Sequence, residues 1–175
     1  MRLRTERLVL RELEVADLDA LAILLGDAEA LALWGEPLDR EGARRWIERN
    51  QARYESDGFG RCAVVSRETG ELIGDCGLHR TTVEGEAEVE LGWIVRRSCW
   101  GRGIAPEAAA AWCDYAFGPL ELPRIVSMIA AENAASRRVA EKLGMNVERP
   151  AIWGGEPMLT YALSREAWTR PNDSV

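Results

Sequence analysis

The sequence predicts an α+β domain, with a mixed, mostly antiparallel sheet of about six or seven strands flanked by about four helices. Three observations carry this expectation. A strand pattern is followed by two helical stretches and a β-prone meander; an Ala-rich helical stretch then separates two further strand candidates; and no repeat, low-complexity run or linker divides the chain. With 175 residues, 47% of them hydrophobic, the chain can build one sizeable core and is short for two, so a single domain over 1–175 is expected.

Residues 7–13 alternate in the manner of a strand, although both faces carry apolar side chains. Asp17 opens a helix in which Leu18, Leu21 and Leu25 recur at helical spacing, and Gly26 is placed to end it. A second helix over 39–56 begins at Asp39 after Pro37 and sets Ala43, Trp46, Ile47 and Tyr54 along one face, with Asp57-Gly58 at its end. Strands at 62–66 and 72–78 are joined by Glu68-Thr69-Gly70, and 86–95 supplies a third antiparallel candidate. The Ala-rich 103–117 is helical and the β-branched run 124–130 is a new strand. A crossover of this length makes a parallel pair with a right-handed connection. A helix over 134–143, stopped by Gly144, and a strand over 158–163 complete the pattern.

The formal net charge of −7 opposes a nucleic-acid-binding role, which needs clustered Lys and Arg, and would draw in an amine-bearing cation more readily. Cys62, Cys76, Cys99 and Cys113 have no metal-ligand spacing and His79 is the single histidine, so no metal site is expected. No signal-peptide core or membrane-length apolar run is present, which points to the reducing cytoplasm and no membrane partner.

Between the strand ending at Val95 and the helix near Ile104 lies Arg96-Arg97-Ser98-Cys99-Trp100-Gly101-Arg102-Gly103-Ile104-Ala105. Glycines one residue apart suit a strand-to-helix turn on steric grounds alone, which the spacing by itself favours; the alternative is that they let the backbone approach a ligand closely, with the unpaired amides of the following helix as a cradle for phosphate oxygens. A dinucleotide fingerprint would want a small residue where Pro106-Glu107 stands, and a P-loop would want Gly-Lys-Ser/Thr at Gly101-Arg102-Gly103; neither fits.

The runs Glu90-Leu91-Gly92-Trp93-Ile94-Val95, Trp100-Gly101-Arg102-Gly103-Ile104-Ala105-Pro106-Glu107-Ala108 and Glu132 to Met145 resemble the GNAT superfamily, and more closely its RimJ/RimL-type branch. Thr5-Glu6-Arg7-Leu8-Val9-Leu10-Arg11 and Leu72-Ile73-Gly74-Asp75-Cys76-Gly77-Leu78 are similar to that branch too. The resemblance implies the GNAT fold, with a splayed parallel strand pair at an acetyl-CoA site, and acetyl transfer from acetyl-CoA to a primary amine. The acceptor would be a protein N-terminus, an amino acid or a small-molecule amine. The resemblance also implies that the main-chain donors of Trp100, Gly101, Arg102, Gly103, Ile104 and Ala105 seat the diphosphate, with Arg102, Arg97 and Lys142 as candidates for the remaining phosphates. It places Trp93, Ile94, Val95, Asn133 and Ser136 along the rest of the cofactor. The family's loop often carries Gln or Arg where Ser98 stands here.

The mechanism so implied is direct attack of the amine in a ternary complex. An α-amine is neutral in about one molecule in ten at pH 7, a lysine in about one in 2,500, so an α-amine needs less help from a base. Glu88 and Glu90, two residues apart on one strand, share a face and are the base candidates, with an ordered water chain as the alternative. Asn133 suits an N-cap, and Ser136 is the candidate proton donor to the departing sulfur. His79 could line the cleft, and Trp34, Trp46, Trp153 and Tyr161 could shape the acceptor pocket. A homodimer through the C-terminal strands is consistent with the sequence. The competing reading is a non-catalytic acyl-CoA sensor or structural module on the same fold.

Overall fold

The computed structural model describes residues 1–33 and 35–170; Trp34 lies outside them. Its centre is an eight-stranded sheet in the order β1-β2-β3-β4-β5-β6-β8-β7. The strands are β1 Arg2–Arg4, β2 Leu8–Arg11, β3 Arg61–Ser66, β4 Leu72–Val83, β5 Glu86–Val95, β6 Arg124–Ile129, β7 Asn146–Trp153 and β8 Glu156–Ser164. Neighbours are antiparallel except β5 and β6, which meet in parallel at one matched pair, Glu90 with Val126, and then part.

Helices α1 Leu18–Leu25, α2 Ala28–Leu31 and α3 Arg40–Asp57 precede the meander, α4 Ile104–Phe117 is the crossover between β5 and β6, and α5 Ala134–Lys142 follows β6. The expected strand and helix types are therefore present, together with two strands and one short helix beyond the expected sets. β1 is three residues long, and α2 is four. β7 reads poorly as a strand because Pro150 and charged residues interrupt it; it is tolerated as the outermost strand, where one side needs no ladder partner.

Helix boundaries follow their caps. The Asp39 carboxylate accepts from the Gly42 N–H at 2.7 Å, and Gly58, at φ 77°, takes the left-handed turn that ends α3. Asn133 accepts from the Ser136 N–H at 3.0 Å and starts α5, as its sequence position predicts. Gly70, at φ 73°, supplies the tight turn between β3 and β4.

Two apolar layers cover the sheet. On one face Leu10, Val64, Leu78 and Leu91 pack with Trp112, Cys113, Ala140 and Leu143; on the other Leu21, Leu25, Ala43 and Ile47 pack with Ala63 and Ile94. Ala108, Ala109 and Ala116 are fully buried, so α4 lies close against the strands it connects. Beneath α3 the Arg61 guanidinium pairs with Asp75, Nε to Oδ1 at 2.6 Å, and the Trp46 indole donates to the other Asp75 oxygen at 3.1 Å. Trp46 thus serves the interior of this layer, and Tyr161, 1% exposed, belongs to the opposite layer, where its hydroxyl accepts from Arg137 at 3.0 Å. Neither lines the clefts described below.

Candidate active site

After Val95 the chain makes one 3-10 turn, Arg97–Cys99, and then two left-handed residues, Gly101 at φ 71° and Gly103 at φ 74°, before α4 begins. These angles are why glycine stands at both places; an L side chain is strained there. The Trp100 N–H donates to the Arg97 carbonyl at 3.0 Å and its indole to the Val95 carbonyl at 2.8 Å, so Trp100 braces the turn with its own donors. This corrects the expectation for its amide, which is engaged within the protein. Among the described residues, the backbone and side-chain hydrogen bonds use none of the N–H groups from Gly101 to Ala105. An unspent run of donors at a helix start is the chemistry that holds a diphosphate.

The turn is held from behind by the N-terminal segment. Arg7 donates to the carbonyls of Arg102 at 2.8 Å and Gly103 at 3.3 Å, and its Nε donates to Glu107 at 2.6 Å. Thr5 and the Arg7 amide donate to the other Glu107 oxygen, at 2.5 and 3.0 Å. Burial alone would push the Glu107 carboxyl up, but these donors together hold it below the ordinary glutamate value. Glu107 is therefore neutralised by Arg7 rather than turned on an incoming phosphate.

The turn opens on a cleft of about 650 Å³ between the end of β5 and one face of α5 along its length. Trp93, Ile94 and Val95 line it from the strand; Trp100, Gly101, Gly103, Ile104 and Ala105 from the turn; Asn133, Ser136 and Lys142 from α5. Arg102 does not line it. Nor is Arg97 available there: its guanidinium pairs with Asp27, at 2.7 Å, and with Glu29. The cation that sequence reasoning missed is Arg138, which does line the cleft. The signal was its place four residues before Lys142, one helical turn away on the same face.

Where β5 and β6 part, a small cavity continues the cleft, lined by Glu90, Trp93, Ser127, Met128, Asn133 and Ser136 among others. Glu90 is 3% exposed and its Oε2 lies 3.2 Å from His79 Nε2, its cross-strand neighbour. His79 itself lines neither cavity. Glu88 shares the face of Glu90 but not its surroundings. Its carboxylate pairs with Arg124 at 3.0 Å, Arg124 also grips Glu148 at 3.0 Å, and Glu88 lines neither cavity. Beyond the parting, Trp153 packs with Val83, Met128, Ala151 and Met158 and donates to the Thr81 hydroxyl at 3.4 Å.

Among the described residues no cluster of His, Cys, Asp and Glu could hold a metal, and no helix is long and apolar enough to cross a membrane. All four cysteines are buried free thiols.

The uncharacterized N-acetyltransferase p20 of Bacillus licheniformis is 34% identical over 149 residues, 83% of this chain and 83% of p20. The crystal structure of an acetyltransferase from Agrobacterium tumefaciens superposes with a TM-score of 0.81 at 34% identity, covering 93% of this chain and 94% of that one. RimL, a ribosomal L7/L12 alpha-N-protein acetyltransferase solved with coenzyme A, has the same fold at a TM-score of 0.80 and 17% identity, covering 95% of this chain and 99% of its own. Residues 7–146 match the family model of the acetyltransferase (GNAT) domain. On the family match over most of its length and its 34% identity to p20, the chain belongs to the GNAT superfamily of N-acetyltransferases.

Proposed function

We propose that the protein is a single-domain, acetyl-CoA-dependent N-acetyltransferase whose acceptor is the primary amine of a small molecule or a peptide N-terminus. The amine attacks the thioester directly in a ternary complex. The observation that carries this reading is continuity: unspent amides from Gly101 to Ala105, a cleft leading from them, and a buried carboxylate, Glu90, where β5 and β6 part. When bound, acetyl-CoA supplies an activated acyl carbon, and every other requirement falls to this chain.

The amides and the α4 N-terminus hold negative charge, and Arg138 and Lys142 supply cations farther along the cleft. A main-chain N–H of β5 near Trp93, on the edge released by β6, is the donor for oxygen that gains charge. Glu90 takes a proton from the acceptor's ammonium, and the neutral amine so formed adds to the thioester carbon; as the C–S bond breaks, the Ser136 hydroxyl gives its proton to sulfur and takes the proton that the acylated nitrogen sheds. A thiol with a pKa near that of cysteine, about 8.5, leaves tolerably well as thiolate, so the Ser136 contribution is the smaller.

A peptide N-terminus agrees with the lighter demand that an α-amine places on a base, and it is the acceptor class named for RimL. Four free thiols suit the cytoplasm. A sensor that only bound the cofactor would need no carboxylate at the vertex. The test is release of free thiol from acetyl-CoA on incubation with α-amino peptides, amino acids and polyamines. Acceptor-dependent release supports the enzyme, whereas binding with no release on any amine supports the sensor.

A further inference from the structure

The cavity at the end of the cleft measures about 10 Å³, room for roughly one water-sized group. It shares Leu33, Trp93, Asn133 and Ser136 with the larger cleft, so the two form one passage that narrows toward the parting of β5 and β6. Ser127 stands at that narrow end. It is 2% exposed, one residue past the last matched pair of the parallel strands, and its hydroxyl donates to the Leu91 carbonyl at 2.6 Å. The bond bridges the two strands where their ladder has stopped. Met145 Sδ lies 3.7 Å from the same hydroxyl, which is therefore held from both sides. A backbone carbonyl that would otherwise be left bare is satisfied, and the strands cannot part further without losing that bond.

We infer that Ser127 is a specificity-determining residue that fixes the length of the acyl group. The inference rests on the reading that this cleft receives an acyl-CoA. A methyl group is about the size of the space present, whereas each added methylene asks for a comparable further volume in a wall packed to interior density. Acetyl fits, and a six-carbon chain must displace Ser127 or the strands it joins. Serine suits the position because it combines a small side chain with a donor for Leu91.

The test is calorimetric titration of the full chain with CoA, acetyl-CoA and hexanoyl-CoA, on wild type, Ser127→Gly and Ser127→Thr. Wild type is expected to bind hexanoyl-CoA at least tenfold more weakly than acetyl-CoA. Ser127→Gly, which removes the bridge and the side chain, should bring that ratio below about threefold. Ser127→Thr keeps the hydroxyl but adds a methyl group, and should weaken acetyl-CoA at least tenfold while leaving CoA within threefold. If Ser127→Gly does not fold, the threonine variant decides alone. Equal binding of the two thioesters by wild type, or ratios unmoved by the variants that fold while CoA still binds, overturns the inference. Failure of wild type to bind CoA at all overturns the acyl-CoA reading, and the inference falls with it.

Discussion

The guanidinium of Arg7 donates to the Glu107 carboxylate at 2.6 Å while its other nitrogens reach the carbonyls of Arg102 and Gly103. A residue before β2 thereby fixes both the first turn of α4 and the glycine turn that precedes it. Arg7→Ala is expected to weaken CoA binding about tenfold and to cost about 1 kcal/mol of stability, the size expected of a partly exposed charged pair. Titration calorimetry and denaturant unfolding measure the two effects separately. Glu107 is held below its ordinary pKa, so the stability it contributes is present above the unfolded glutamate value, near 4.3, and is lost as pH falls through the lower folded value. The stability gap between wild type and Glu107→Gln should therefore be full at pH 7, narrow as pH falls below the unfolded glutamate value, and close only below the lower folded value. A gap that stayed constant with pH would show that the carboxylate charge plays no part.

The seat for the diphosphate is tested at Gly101. A Cβ there meets no atom within 4 Å, so the cost of a side chain is the left-handed φ of 71° rather than a clash. Asn and Asp both tolerate that region better than other residues. Gly101→Asn is expected to bind CoA within about tenfold of wild type, and Gly101→Asp to lose binding by at least a further hundredfold, because only the second brings a negative charge. Equal affinities for the two variants would remove the amide run from the binding site.

Cations around the cleft separate by placement. Arg138→Gln and Lys142→Gln should each weaken CoA binding about three- to tenfold, with the loss shrinking as salt screens the charge. Arg102→Gln, outside the cleft, should change affinity less than twofold. A larger effect at Arg102 than at Lys142 would contradict the arrangement.

Glu88 and Glu90 make a matched pair of variants. Glu90→Gln should lower kcat by about 10²- to 10⁴-fold and alter the pH profile of kcat/KM, the range expected for loss of a general base. Glu88→Gln should keep kcat within a few-fold, since that carboxylate is occupied by Arg124. Equal, small effects from both would favour proton removal through ordered water.

Asp75 is fully buried against Arg61. Removing the Asp75 carboxylate breaks this buried ion pair, so Asp75→Ala should destabilise by about 3–5 kcal/mol. Chemical denaturation measures the loss directly.

The fold and much of the cleft lining were legible because both depend on contiguous stretches of chain. Caps at Asp39 and Asn133, the turn at Gly70 and the Ala-rich run of α4 announce themselves within a few residues. So does the sequence from Trp93 to Ala105, which alternates between strand edge and turn. What escaped depends on meetings between distant segments. Glu88 and Glu90 are indistinguishable by alternation; only the arrival of Arg124 on β6 takes one of them out of the cleft. Arg97 reads as a free cation until α2 and its cap bring Glu29 and Asp27 beside it. β7 lacked the usual strand composition because its place at the margin of the sheet tolerates Pro150.

The contacts of Thr5 and Arg7 with Glu107 span about one hundred residues of chain. Closing so wide a loop is slow compared with forming a helix or a hairpin. The anion seat would then be among the last parts of the molecule to reach its working shape, after α4 and the meander exist. Refolding followed by tryptophan fluorescence and by recovery of CoA binding should accordingly give two curves, with ligand capacity returning later.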